Sequence, residues 1–177
     1  MDFAFNMATS RRHNKLLRFF SGEVLPFEKK KLLEAFQEEC SLVYSGKRWS
    51  LDSKLINLKK IENHNDFRIN TIQHLSYLQP DFMLFHKNKF LISEDELRVA
   101  GYPDLIIEVW SPGNLPDERE FKRHLYSTSD ITEQWYLTTD SNKIEVFTGV
   151  KKMDELSLTD VLKTQSGLTF DLRHLAL

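Results

Sequence analysis

Apolar positions recur along this chain in two rhythms. From Phe27 to about Val43, the residues Leu32, Leu33, Phe36, Cys40 and Val43 return at three and four, which predicts a helix with one buried stripe. Residues 10–20 predict a shorter, basic amphipathic helix with Leu16, Leu17, Phe19 and Phe20 on its apolar side, ended by Gly22 and Pro26 of "SGEVLP". The second rhythm belongs to strands. "PDFMLFH" (80–86), "DLIIEVW" (104–110), "EQWYLTT" (133–139) and "KIEVFTG" (143–149) are short runs rich in branched and aromatic residues, bounded by turn residues. "DSN" joins the last two, which predicts a hairpin.

Other stretches are less regular. "KRWSLDSKLINL" (47–58) and "NDFRINTIQHLSYL" (65–78) alternate in part and read as strands or an irregular hairpin. "SEDELRVA" (93–100) reads as one or two helical turns, with Ser93 and Glu96 at capping-box spacing and Gly101 as the stop. "PDEREFKRHLYST" (116–128) is helical, with Pro116 and two acids in its first turn. The tail "GLTFDLRHL" (167–175) alternates and predicts a final strand or docking segment. Helix, strands, helix, strand is the order of an α/β domain with a central mixed sheet flanked by helices.

A length of 177 residues suits one domain over 1–177, with 1–25 as an N-terminal extension. The apolar fraction of 41% supports a core without disulfides. Cys40 is the single cysteine, so neither a disulfide framework nor a Cys-based zinc site is expected, and a cytoplasmic setting fits. No signal peptide is read at the start, and no run reaches the roughly 20 apolar residues of a membrane span. Net charge is -2, which argues against a general polyanion binder. The bases of "RRHNKLLR", Lys29–Lys31 and Lys59–Lys60 nonetheless cluster in the first third. They read first as a solvated surface, with a nucleic-acid-facing arm as the alternative.

Candidate chemistry centres on "PDLIIEVWSP" (103–112), an apolar run holding Asp104 and Glu108. Even spacing puts both acids on one face of a strand. Four residues at about 3.3 Å is roughly 13 Å, too far for two carboxylates to share one ion at about 2.0–2.6 Å each. A better partner for Glu108 is Asp81 of the earlier "PD". If 81–86 and 104–110 pair antiparallel, Asp81 lies beside Glu108 and Trp110, across a strand gap of about 4.8 Å. Two carboxylates so close repel, and a divalent cation would resolve the repulsion. Lys122, on the following helix, could then orient water or stabilise charge, with Tyr126 at i+4 on the same face. The plain alternative is that Asp81 and Asp104 bond local amides where strands begin, and that Lys122 is a surface lysine. Other chemistries lack their patterns. The six histidines show no ligand spacing, no Gly-rich phosphate loop occurs, and Ser111 in "WSPG" is not a nucleophile elbow.

The ordered pieces "QPDFMLF", "GYPDLIIEVWSP", "EFKRHLY", "EQWYL" and "IEVF", from Gln79 to Phe147, resemble the Uma-two family of restriction-endonuclease-like proteins, within the PD-(D/E)XK nuclease superfamily. The resemblance implies a restriction endonuclease-like core and a Mg²⁺ (or Mn²⁺) site made by Asp81 and Glu108. It implies Lys122 as the catalytic lysine, displaced from the position that Trp110 fills here. Asp104, Trp110 and Tyr126 are expected to support that site, with Trp110 as a floor and Tyr126 bracing the lysine. A helix-borne acid is expected at Glu34 or Glu38, although the usual N-terminal segment is poorly matched by "RFFSGEV". The function implied is metal-dependent hydrolysis of DNA phosphodiester bonds by a homodimer. The alternative is a catalytically impaired nuclease-fold module that binds nucleic acid or a protein partner.

Overall fold

The structure, a computed structural model, describes residues 11–30, 32–37, 40–45, 75–86, 89–92, 98–128, 131–139 and 142–174. Helix α1 spans Arg11–Lys29 and is followed by β1 (Leu33–Gln37), β2 (Ser41–Ser45), β3 (Leu75–Leu78) and β4 (Phe82–His86). Then come β5 (Phe90–Ile92), β6 (Arg98–Gly101), β7 (Leu105–Trp110) and helix α2 (Pro116–Ser127). The chain closes with β8 (Glu133–Thr138), β9 (Lys143–Thr148), β10 (Lys151–Ser157), β11 (Val161–Lys163), β12 (Thr169–Asp171) and a 3-10 turn at Leu172–His174.

Six strands form a mixed sheet in the order β1-β4-β7-β8-β9-β10. The pairs β1/β4, β4/β7, β8/β9 and β9/β10 are antiparallel, and β7/β8 is parallel, bridged by α2. A four-stranded sheet, β3-β2-β6-β5, and the hairpin β11-β12 complete it. The large sheet is covered on both faces, so its central strands read as unbroken apolar runs. On one face, Leu16, Leu17, Phe20 and Val24 of α1 pack on Leu105, Ile107, Val109, Trp135 and Leu137, with Phe170 from the tail. On the other, Ile106, Trp110 and Tyr136 pack with Tyr126 of α2 and with Leu42, Leu78 and Val99 of the smaller sheet.

Two expectations along the N-terminal third fail. The helix does not stop at Gly22 or Pro26 but runs to Lys29 with Pro26 inside it. An interior proline costs about 3 kcal/mol and a glycine about 1. Burying Phe20 and Val24 offsets this at roughly 1.5–3 kcal/mol each. Of the helix read over 27–43, residues 27–29 close α1, while Leu33–Gln37 and Ser41–Ser45 are strands β1 and β2. Leu33 is buried in the α1 core, and Phe36 packs edge-on against Phe85 and Phe90. The same apolar spacing serves two short strands, β1 on the edge of β4 and β2 between β3 and β6. Likewise 98–101 is strand, not helix. The strand or hairpin read at 47–58 lies outside the described residues, as do 93–97. The tail does form a strand, paired with β11.

Candidate active site

The antiparallel register of β4 and β7 sets Phe82 opposite Ile107. Asp81, one residue before β4, therefore stands beside Glu108. Its Oδ2 accepts the Val109 backbone N–H at 2.6 Å. Glu108 projects toward α2 and is only 1% exposed. Helix α2 starts where Pro116 occupies its first position and Asp117 and Glu118 its first turn. One face of it then delivers Lys122 and Tyr126 to the same carboxylate. The Lys122 ammonium lies 2.7 Å from Glu108 Oε2. The Tyr126 phenol donates to Oε1 at 2.6 Å. Tyr126 thus fixes the carboxylate itself, where the sequence suggested that it would brace the lysine.

Burial pushes the Glu108 carboxyl up to about 7; Lys122 pulls against that, and the nearby Asp81 adds to it. Burial works against charge on Lys122, but Glu108 and Asp81 outweigh it and its pKa is raised. Burial and then the Glu108 charge hold the Tyr126 phenol well above its ordinary value.

Asp104 belongs elsewhere. Its backbone N–H donates to Leu84 O at 2.8 Å, and its carboxylate accepts the His86 backbone N–H at 2.7 Å. Lys89 Nζ lies 2.6 Å from Oδ1 and His86 Nδ1 2.8 Å from Oδ2. It fastens the start of β7 to the end of β4 and contacts none of Asp81, Glu108 or Lys122 among the described interactions. Gly101 helps to shape this end: its φ is 156°, and a Cβ there would stand 2.3 Å from the Lys89 carbonyl oxygen. Trp110 stacks on Tyr136 with centroids 4.7 Å apart. The guanidinium of Arg123 lies 4.7 Å, and that of Arg119 5.3 Å, from the Trp110 ring centroid.

Of the two positions read for a helix-borne acid, Glu34 lies on strand β1 and Glu38 falls outside the described residues. The residue that α1 brings to Asp81 is His13, 6% exposed, with Nε2 3.3 Å from Asp81 Oδ2. A signal for it exists: 13, 16, 17, 20 and 24 form one helical stripe, and all five are buried. In sequence His13 is hidden inside a basic run. Arg119 and Arg123 carry the same kind of signal, being one helical turn apart beside the Lys122 position.

A family model described as "Uma2: Putative restriction endonuclease" matches residues 54–176. The chain belongs to this family. A comparison with curated proteins finds no match. A solved structure of "a putative nuclease belonging to DUF820" from Anabaena variabilis is similar, with a TM-score of 0.59 and 13% identity. The match covers 99% of this chain and 84% of that one. At that identity the likeness establishes a shared fold.

Within this Uma2 chain, the donor set suits a hard divalent cation at the Asp81–Glu108 pair. Both are oxygen donors, and their mutual repulsion is visible in the upward push that Asp81 gives Glu108. Among the described residues, no group of three His, Cys, Asp or Glu side chains is already gathered for a metal. Both Glu108 oxygens are engaged by Tyr126 and Lys122. Asp81 Oδ2 takes both the Val109 N–H and the contact with His13 Nε2. Among the described residues, no helix is long and apolar enough to cross a membrane.

Proposed function

We propose that this Uma2 chain is a divalent-cation-dependent endonuclease that hydrolyses DNA phosphodiester bonds. One observation carries the reading: Lys122 is 2.7 Å from a buried Glu108 whose carboxyl is pushed up to about 7, with Asp81 adding to that push. A structural ion pair needs no second acid. Asp81 and Glu108 would hold Mg²⁺ or Mn²⁺. When bound, the cation would polarise a phosphoryl oxygen and acidify water. Lys122 shifts from neutralising Glu108 to facing the reacting phosphate, where it stabilises charge that grows in the transition state. Tyr126 keeps Glu108 in place during that shift. His13 and the Val109 amide hold Asp81. Trp110, packed under Arg119 and Arg123, walls the site toward β8, with Asp104 anchoring the strand from its far end.

The test is plasmid nicking with Mg²⁺ or Mn²⁺, run beside calorimetric Mn²⁺ binding to wild type and Asp81→Ala. Cation-dependent nicking that is lost in Asp81→Ala, together with weakened Mn²⁺ binding, is expected. Equal Mn²⁺ binding by both proteins removes the site. A second reading rests on His13: the N-terminal helix brings an imidazole, not a carboxylate, to Asp81. That favours a nuclease-fold module that binds nucleic acid or a protein partner without turnover. DNA retention with no nicking in either cation selects it.

A further inference from the structure

Two arginines share the Trp110 ring, and they differ in their counter-charge. Helix α2 sets Arg119 and Arg123 one turn apart, with their guanidinium groups 5.3 and 4.7 Å from the ring centroid. Arg123 is paired with Glu145, an acid that Lys152 also meets. Arg119 instead donates from Nη2 to the Ser111 carbonyl at 2.6 Å. That oxygen also accepts the Asn114 N–H at 3.0 Å, so the turn that follows β7 holds the guanidinium. Among the described residues no carboxylate pairs with Arg119, and its buried Nε has no hydrogen-bond partner. A guanidinium carries five donors in one rigid plane, a shape that matches carboxylate and phosphate. Burial of a charge is costly unless it is paired. Arg119 is half-buried and fixed by ring and carbonyl, which suits an anion that arrives from outside.

We infer that Arg119 binds a second backbone phosphate of the substrate strand, next to the one that Lys122 faces. The inference rests on the reading above only for the presence of DNA on this side of α2. Lys122 is three residues on from Arg119, a neighbour on the helix surface at about 5–6 Å between Cβ atoms. Trp110 is two residues beyond Glu108 on β7, so both stand on one face of the sheet, about 7 Å apart along the strand. Helix and strand therefore agree on a step close to one nucleotide of backbone. A phosphate held at Arg119 brings its neighbour to Lys122 and the Asp81–Glu108 pair. Binding of a group that does not react thus positions the group that does. Arg123, with Glu145 as its counter-charge, packs the ring and takes no phosphate. A phosphate contact carries no sequence information, so Arg119 sets affinity and register, not specificity.

Binding of a labelled DNA duplex is followed by anisotropy from roughly 50 to 200 mM KCl. Every protein carries Asp81→Ala, so the duplex stays uncut. Loss of one phosphate contact lowers the slope of log affinity against log salt by about 1. Arg119→Gln is expected to show that drop, so its deficit in affinity against the parent shrinks about three- to fourfold over the range. Arg119→Met, which keeps contact with the ring, replaces it if Arg119→Gln does not fold in urea denaturation. Arg119→Lys keeps the charge and is expected to keep the slope. So is Lys163→Gln, which is exposed on β11, where Leu162 packs into the α1 side of the core. The inference is overturned if the neutral variant keeps the parent slope, if Arg119→Lys or Lys163→Gln loses as much slope as the neutral variant, or if the parent binds no DNA. Nicking is scored separately with Asp81 intact. A slope that drops beside no nicking removes hydrolysis and leaves the phosphate site. Nicking beside an unchanged slope removes the phosphate site and leaves hydrolysis.

Discussion

Asp104 stands just before strand β7 and Glu108 lies within it, and they are 5% and 1% exposed. They titrate in opposite directions. For both, burial is the largest influence and pushes the carboxyl upward. At Asp104 the Lys89 ammonium, the His86 ring and the His86 amide overcome it, and the pKa is lowered. At Glu108 Lys122 and Tyr126 oppose burial, yet Asp81 adds a second negative charge, and the carboxyl reaches about 7. Burial alone therefore does not mark a functional acid. What separates the two ends of β7 is the balance of charge. The Asp104 end is closed by its own cations, whereas the Glu108 end is short of positive charge, as expected where a cation or a phosphate-facing lysine works.

The largest effect expected from this contrast is on turnover. Lys122→Met should lower cation-dependent nicking by about 10²–10³-fold, the range for removing one donor to developing charge. Asp104→Asn, at the other end of the strand, should leave the rate of folded protein nearly unchanged. Equal losses in the two variants, with both still folded, would break the comparison.

Next is the pH dependence of stability, where the two acids have opposite signs. The unfolded Glu108 carboxyl titrates near 4.5 and the folded one near 7. As pH rises between these values the unfolded chain loses its proton first, so stability falls, by about 3 kcal/mol in all. Glu108→Gln should flatten that fall in urea denaturation measured across the window. For Asp104 the folded carboxyl lies below its usual 3.8. Its contribution is therefore present above about pH 4 and drains away as pH falls further; Asp104→Asn should soften only that acid limb.

At neutral pH, Asp104→Ala should cost about 2 kcal/mol in the same measurement, because the His86 amide loses its acceptor. Lys89 and His86 are each close to half exposed, so water replaces the carboxylate for their side chains and they add little. Asp104→Asn, which keeps an acceptor oxygen, should cost about half as much.

The same strand shows what the sequence makes legible. Strands β4, β7, β8 and β9 and helix α2 carry their signals locally, in branched residues, a first-position proline and turn residues, and they fold as read. So does the split between the two acids, which follows from strand rise alone. The N-terminal third does not. Leu33, Phe36 and Cys40 fit a helix and a pair of strands equally well, and what decides lies in distant strands, β4 for β1 and β3 and β6 for β2. Gly22 and Pro26 are local stop signals overridden by the burial of Phe20 and Val24 against β7 and β8. Strand β10 escapes notice because exposure of both its faces leaves no alternation. His13 was expected among surface charges, and its contact with Asp81 spans 68 residues of chain, beyond any local pattern.

The smallest effect sharpens the contrast most. Tyr126 is fully buried and its phenol is bonded to Glu108 Oε1. Tyr126→Phe keeps the ring and its packing and removes the one donor. That hydrogen bond is a minor downward influence on the Glu108 carboxyl. It contributes about 1 kcal/mol, which corresponds to under about one pKa unit. The midpoint of Glu108, followed by carbon-13 NMR of its side-chain carboxyl, should move upward from about 7, while that of Asp104 stays in place. If the Glu108 midpoint stays too, burial, Lys122 and Asp81 set it alone, and Tyr126 serves only to aim the carboxylate. If Asp104 moves as well, the two ends of β7 are coupled, and the division of the strand into an anchored end and a reactive end fails.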